Sequence, residues 1–311
     1  MVLLAAPHTA NTQSTLQWVY VTRRFRALQN KLALVPDELG DGETKVSGVV
    51  SSLNRAFRDE SSVDNFFYAG SWGKNTAISP SNDIDVFYIP PNDIFHQYNQ
   101  RLGNKQSQLL QRLREALSVT YPQTGLRGDG QVVVVGFNSI TVEVVPAFPA
   151  QGGGYLICDT NDGGSWKHVW PASEIEAIDT SDAAYRGNTR KLTRILKQWR
   201  RACNVPIKSF HIEQLVKEAL PPLSYAANDE FWFDWLVRDM FKYMIGRAGG
   251  GFFMPGLSYE WIHLGDNWLS KAESAYQHAL RACDYERRNM NVHAGEEWQK
   301  IFGTAIPLQV T

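Results

Sequence analysis

The feature that most limits the fold is Asp83-Ile84-Asp85 at the head of a β-branched and aromatic segment that runs from Ile84 to Pro90 and ends in Pro90-Pro91. Such a run predicts a β-strand. Side chains alternate along a strand, so Asp83 and Asp85 project from one face, about 6 to 7 Å apart, and Ile84 and Val86 take the other. Two carboxylates this close repel unless a cation lies between them, and Mg²⁺ is the hard cation that carboxylate oxygens suit.

A third acid is available. Glu143 lies mid-strand in Ile140-Thr141-Val142-Glu143-Val144-Val145, where Val142 and Val144 take the opposite face. If that strand neighbours the first, three carboxylates converge, and Glu143 can take a proton from an attacking hydroxyl or hold a metal that activates it. Twelve residues before Asp83, Gly70-Ser71 breaks an aromatic run from Asn65 to Ala69 and offers backbone N–H groups and a hydroxyl, both phosphate ligands. Lys74 follows in the same turn and reads as an exposed loop lysine.

Around this centre the first half of the chain reads as α+β. Helical spacing covers residues 14 to 33 and 45 to 58, with Leu34-Val35-Pro36-Asp37 as a stop between them. A helix covers 104 to 119, and 132 to 135 with 140 to 145 form a hairpin. Gly152-Gly153-Gly154 and the tract from Asp159 to Gly164 read as loops. Beyond about residue 176 strand signals become scarce, and helices are predicted at 188 to 202, 209 to 219, 229 to 245 and 267 to 288. The 311 residues therefore fall into a core over 1–175 and a helical lobe over 176–311.

Composition narrows the function. Thirty-one Lys and Arg against 32 Asp and Glu give a net charge of −1, so no global field draws the chain to nucleic acid or an anionic membrane. Cys158, Cys203 and Cys283 have no paired spacing, which excludes a zinc or disulfide framework and fits a reducing, cytoplasmic setting without a membrane span. The charge bias is local: between Arg186 and Lys208 there are eight Lys or Arg and no acid. The cluster Phe231 to Trp235 has helical spacing and reads as core.

Gly70-Ser71, Thr76, Asp83, Asp85 and Glu143 in Thr-Val-Glu-Val-Val-Pro-Ala resemble the nucleotidyltransferases of the DNA polymerase β-like fold. More narrowly, Asp162 to Pro171, Arg194 to Trp199 and Lys208-Ser209-Phe210-His211-Ile212 resemble the bacterial SMODS-type CD-NTases, relatives of cyclic GMP-AMP synthase and oligoadenylate synthase. The likeness spans roughly residues 66 to 290. It implies a palm with a mixed sheet and flanking helices, and a mainly helical lobe like that of oligoadenylate synthase. It implies two Mg²⁺ ions, or Mn²⁺, on Asp83, Asp85 and Glu143, with Gly70, Ser71, Lys197, Ser209 and Phe210 binding nucleotide. Lys197 and Ser209 match positions that touch the donor triphosphate, and Phe210 one that stacks on a base.

The activity implied is synthesis of a cyclic di- or trinucleotide second messenger from ATP and a second NTP, with release of pyrophosphate, in anti-phage signalling. The implied partners are an effector responding to the product and a conjugating protein acting near Gln309-Val310-Thr311, with the enzyme itself a monomer. Many relatives have Asp where this chain has Glu143, and no Cys/His cluster resembles the zinc insertion of the animal DNA sensor, so DNA activation is not implied. The alternatives are a transferase making linear products, such as 2′-5′ oligoadenylate or nucleotide additions to RNA or a small molecule, and a non-catalytic nucleotide sensor.

Overall fold

The computed structural model describes residues 18–256 and 260–311. It divides into two compact units, one of Ala33–Ala183 with Phe253–Trp261, the other of the described residues up to Leu32 with Ala184–Phe252 and Ile262–Thr311. The first described helix, α1 (Val21–Leu32), thus groups with the helical second half, where the sequence reading put it with the core. Of the helix expected from 14, residues 14 to 17 lie outside the described residues.

In the α+β unit, α2 (Pro36–Arg58) begins where a stop is expected. Pro36 occupies the first helical position, which needs no N–H donor, and Glu38 Oε2 accepts from Val35 N at 3.1 Å. Gly40 and Gly42 hide this first turn from a propensity reading. Gly42 is there for closeness: a Cβ would lie 2.6 Å from the Trp72 ring and 2.8 Å from Ile84 Cδ1.

The chain then forms β1 (Phe66–Tyr68), the short α3 (Gly70–Gly73), β2 (Asp83–Tyr88), α4 (Asn92–Asn99) and α5 (Lys105–Thr120), which Asn104 caps by accepting from Ser107 N at 2.9 Å. Next come β3 (Gly125–Asp129), β4 (Val132–Gly136), β5 (Thr141–Pro149), β6 (Tyr155–Asp159), β7 (Ser165–Val169) and α6 (Pro171–Ala184).

The sheet runs β1-β2-β5-β4-β3, with β6 paired to β5 and β7 to β6. Among the described residues β2 and β5 are parallel and the other strand pairs of this sheet antiparallel, so the sheet is mixed. The hairpin expected at 132–145 is present as β4 and β5. Strands β3, β6 and β7 had no strand expectation, because glycine and polar residues dilute their alternation. Ile84, Val86, Tyr88, Val142, Val144, Val133 and Val135 form the buried face and pack with Val49, Leu53, Leu109 and Leu113 of α2 and α5. Each such side chain contributes about 1.5 to 3 kcal/mol on burial.

In the helical unit, α7 (Asn188–Ala202), α8 (Ser209–Ala219), α9 (Phe233–Arg247), α10 (Leu269–Arg287) and α11 (Asn291–Phe302) bury a stripe each. A two-stranded ribbon, β8 (Gly251–Phe253) with β9 (Trp261–His263), interrupts the expected run of helices. Ala272, Ala275, Ala279 and Ala282 let α10 approach its neighbours closely.

What ties α1 into this unit is Arg24, fully buried, which donates to Glu286 Oε1 (2.8 Å), Asn291 Oδ1 (2.7 Å) and the carbonyls of Asn291, Pro307 and Leu308. Among the described residues no helix is long and apolar enough to cross a membrane.

Candidate active site

The parallel register of β2 with β5 pairs Asp83 with Thr141 and Asp85 with Glu143. Paired residues project to the same face, so Asp85 and Glu143 are immediate neighbours, about 4.8 Å apart at the backbone, and Asp83 stands two residues along from Asp85. Ile84, Val86, Val142 and Val144 are fully buried on the far side, whereas Asp83 is exposed and Asp85 and Glu143 are half-buried. All three carboxylates share the wet face.

Their mutual influence is visible at Glu143. Burial, then the charge of Asp83 and that of Asp129, pushes its carboxyl above the usual range, and Arg127 opposes the rise. Arg127 acts because register runs on across the sheet: Glu143 pairs with Val134, and Val134 with Arg127. A rank of Asp85, Glu143, Val134 and Arg127 therefore spans four strands. Sequence reading missed Arg127 and Asp129, since Gly125-Leu126-Arg127-Gly128-Asp129 looks like a polar turn.

The turn before β2 is shaped around Asp85. Ala69 N donates to the Asp85 carbonyl at 2.9 Å, and α3 then starts on Gly70 with φ +51°. A Cβ on Gly70 would lie 1.7 Å from Asp85 Oδ2, so only glycine lets this carboxylate lie against the turn. Ser71 follows, and its carbonyl accepts from Thr76 N (2.8 Å) and Ala77 N (3.2 Å), closing the loop. Lys74 is not an exposed loop lysine: it is 4% exposed and donates to Glu174 Oε2 at 3.2 Å.

The donor set fits a hard divalent cation: three carboxylates on one wet face, with no thiol or imidazole among them. Among the described residues no three Asp, Glu, His or Cys side chains close into a ready-made metal cage. The acids stand at strand spacing, as like charges do.

The helical unit holds the other expected nucleotide contacts. Lys197 is buried on α7 and its ammonium donates to Glu213 Oε1 of α8 at 2.8 Å. Ser209 opens α8, where Arg200 Nη1 donates to its hydroxyl at 3.5 Å. Phe210 is half-buried, with its ring edge-on to Phe252 at 5.6 Å. His211 is 6% exposed, and burial with the nearby Lys208 charge lowers its pKa, as befits a structural residue. Glu213 carried no signal in sequence.

Comparison with known proteins bears on the family and the fold. The model of the Second Messenger Oligonucleotide or Dinucleotide Synthetase domain matches residues 20–181. A probable cyclic nucleotide synthase of Bacillus cereus is 22% identical over 274 residues, covering 76% of this chain and 81% of the relative. The CBASS oligonucleotide cyclase CdnC of Escherichia coli is 24% identical over 202 residues, covering 61% of this chain and 62% of the relative. Among solved structures, apo DncV of Vibrio cholerae superposes with a TM-score of 0.72 at 15% identity, over 94% of this chain and 97% of that one. That likeness shows that the two chains share a fold.

Proposed function

Because the chain belongs to the Second Messenger Oligonucleotide or Dinucleotide Synthetase family, we propose that it joins ATP and a second NTP into a cyclic di- or trinucleotide messenger, with release of pyrophosphate. Its enzyme class is nucleotidyltransferase and its setting CBASS-type anti-phage signalling, as the names of its relatives indicate. The solved relatives bear on the substrates: CdnC has been captured with ATP and DncV with a nonhydrolyzable GTP. CdnC also forms a complex with a HORMA protein. For this chain the proposed reader of the product is a separate effector, and the enzyme acts as a monomer.

The observation that carries the reading is the pairing of Asp85 with Glu143 on parallel strands, with Asp83 on the same face. The family's chemistry typically requires a divalent metal; two Mg²⁺ ions, with Mn²⁺ as substitute, would be held by Asp83, Asp85 and Glu143 and would supply positive charge at the acceptor hydroxyl and the triphosphate. Glu143, its carboxyl already raised, is the group suited to take the proton of the attacking 2′- or 3′-hydroxyl. The hydroxyl oxygen bonds to the α-phosphorus, the bond from that phosphorus to the bridging oxygen breaks, and pyrophosphate leaves.

Gly70 admits the Asp85 carboxylate to the turn, and Ser71 offers its hydroxyl to the triphosphate. On the helical unit, Ser209 and Phe210 are the proposed nucleotide contacts, the ring contributing about 1 to 3 kcal/mol by stacking on any base. Lys197 joins them by exchanging Glu213 for phosphate.

The test is incubation with all four NTPs and Mg²⁺ or Mn²⁺, then phosphatase treatment and mass spectrometry. A phosphatase-resistant cyclic product is expected from the native chain and none from Asp83→Asn or Asp85→Asn, with folding intact. Turnover retained in the purified double variant refutes the site, and products that phosphatase degrades fully refute ring closure.

A further inference from the structure

Within the helical unit, the end of α7, one stripe of α10 and the side of α11 border an open surface pocket of about 320 Å³. It is lined by Trp199, Cys203, Lys271, Ser274, His278 and Lys300 among others, none of them assigned above to nucleotide transfer. Lys271, Ser274 and His278 recur at three- and four-residue intervals, which aligns them on one face of α10.

The charges are arranged, not scattered. Glu297 is 7% exposed and takes Lys300 Nζ at 2.6 Å on Oε1, and His278 Nδ1 at 2.7 Å and Arg281 Nε at 2.9 Å on Oε2. One carboxylate thus fixes two lining side chains and the Arg281 guanidinium beside them. Lys271 makes no hydrogen bond or ion pair among the described residues, yet its ammonium is near enough to Cys203 to oppose the rise that burial imposes on that thiol. Lys271, Lys300 and Arg281 outnumber the single Glu297, which leaves the pocket electropositive. Ala202 and Ala275 supply small apolar lining beside the lysines.

We propose that this pocket binds a phosphorylated small molecule, with the phosphate held between Lys271 and Lys300 and the remainder against Ser274 and Asn204. Two ammonium groups, one uncommitted and one held in place, match a compact dianion. The volume lies at the lower end of the ~300 to 1,000 Å³ of small-molecule pockets, which favours a ligand the size of pyrophosphate or a mononucleotide over a peptide.

Cys203 reports on the site directly. It is half-buried on the pocket wall, whereas Cys158 and Cys283 are buried, so iodoacetamide should label Cys203 first. In the full chain with EDTA present, pyrophosphate and ATP are each expected to slow this labelling, and adenosine is not. A probe at twice its Kd leaves about one third of the sites open, an about threefold slowing by mass action. If pyrophosphate protects as well as ATP, the phosphate alone is the ligand; if ATP protects at lower concentration, the nucleoside fills the rest.

Protection should vanish in Lys271→Met/Lys300→Met, scored as the ratio of rates with and without probe, because the change also alters the thiol's intrinsic reactivity. It should persist in Asp83→Asn/Asp85→Asn, so failure of the transferase reading leaves this test standing. Equal protection by adenosine, no protection by either phosphate, or protection unchanged in the double lysine variant overturns the proposal.

Discussion

Gly70→Ala tests the geometry of the acid face most sharply. The added Cβ would lie 1.7 Å from Asp85 Oδ2 and 2.7 Å from its Cγ, and such contacts do not fall below 3.0 Å, so the carboxylate or the turn must shift by about 1.3 Å. The backbone at φ +51° adds about 1 kcal/mol of strain for a residue with a Cβ. A reacting group displaced by about 1 Å loses about 100-fold in rate, far more than a modest loss of stability explains in a chain that stays folded. The assay is pyrophosphate release per active chain at saturating NTP, alongside urea unfolding.

The control is Gly40→Ala, in the interior of α2 with no atom within 4 Å of the new Cβ. It should raise stability by up to about 1 kcal/mol and leave the rate unchanged. A folded Gly70→Ala enzyme working within threefold of the native rate would refute the argument, because Asp85 would then have no fixed position to lose.

Arg24→Met removes the only cation that pairs with the buried Glu286 among the described residues, and strips three carbonyls of their donor. A loss of about 3 to 5 kcal/mol is expected in denaturant unfolding, and a loss under about 1 kcal/mol would show that the tail and α1 are held by packing alone. Burial opposes ionisation of Glu297, but hydrogen bonds from Lys300, His278 and Arg281 outweigh it and hold its pKa at about 2. A carboxyl lowered on folding stabilises the chain above its ordinary range near 4.5 and loses that contribution as pH falls toward 2. With Lys300 and Arg281 half-exposed, the effect should be about 1 to 2 kcal/mol. Glu297→Gln should therefore flatten the acid side of the stability curve, and an unchanged curve would contradict the pairing.

How much of this was legible in sequence follows from the range of the forces involved. Strand alternation is local, so the faces taken by Asp83, Asp85, Ile84 and Val86 could be read from six residues, and the facing of Glu143 likewise. That the two strands are neighbours, parallel and paired at Asp85 with Glu143 is a long-range fact that no local period encodes. Convergence of the three acids was an expectation of the ordered motif, whereas the parallel direction and the register are seen only in the folded sheet.

Where local signals failed, a tertiary contact had overruled propensity. Gly42 weakens the start of α2 in order to admit Trp72 and Ile84, and β3 keeps a strand's place with two glycines because β4 supplies its hydrogen bonds. Arg24 shows the same logic for the boundary between units. A basic residue on an amphipathic helix reads as solvated, and only Glu286, 262 positions later, makes it a buried anchor. Ion pairs of this kind were opaque for one reason: Lys74 with Glu174 joins a turn to a helix and Lys197 with Glu213 joins two helices, and burial of a charge can be inferred only when its partner is already in place.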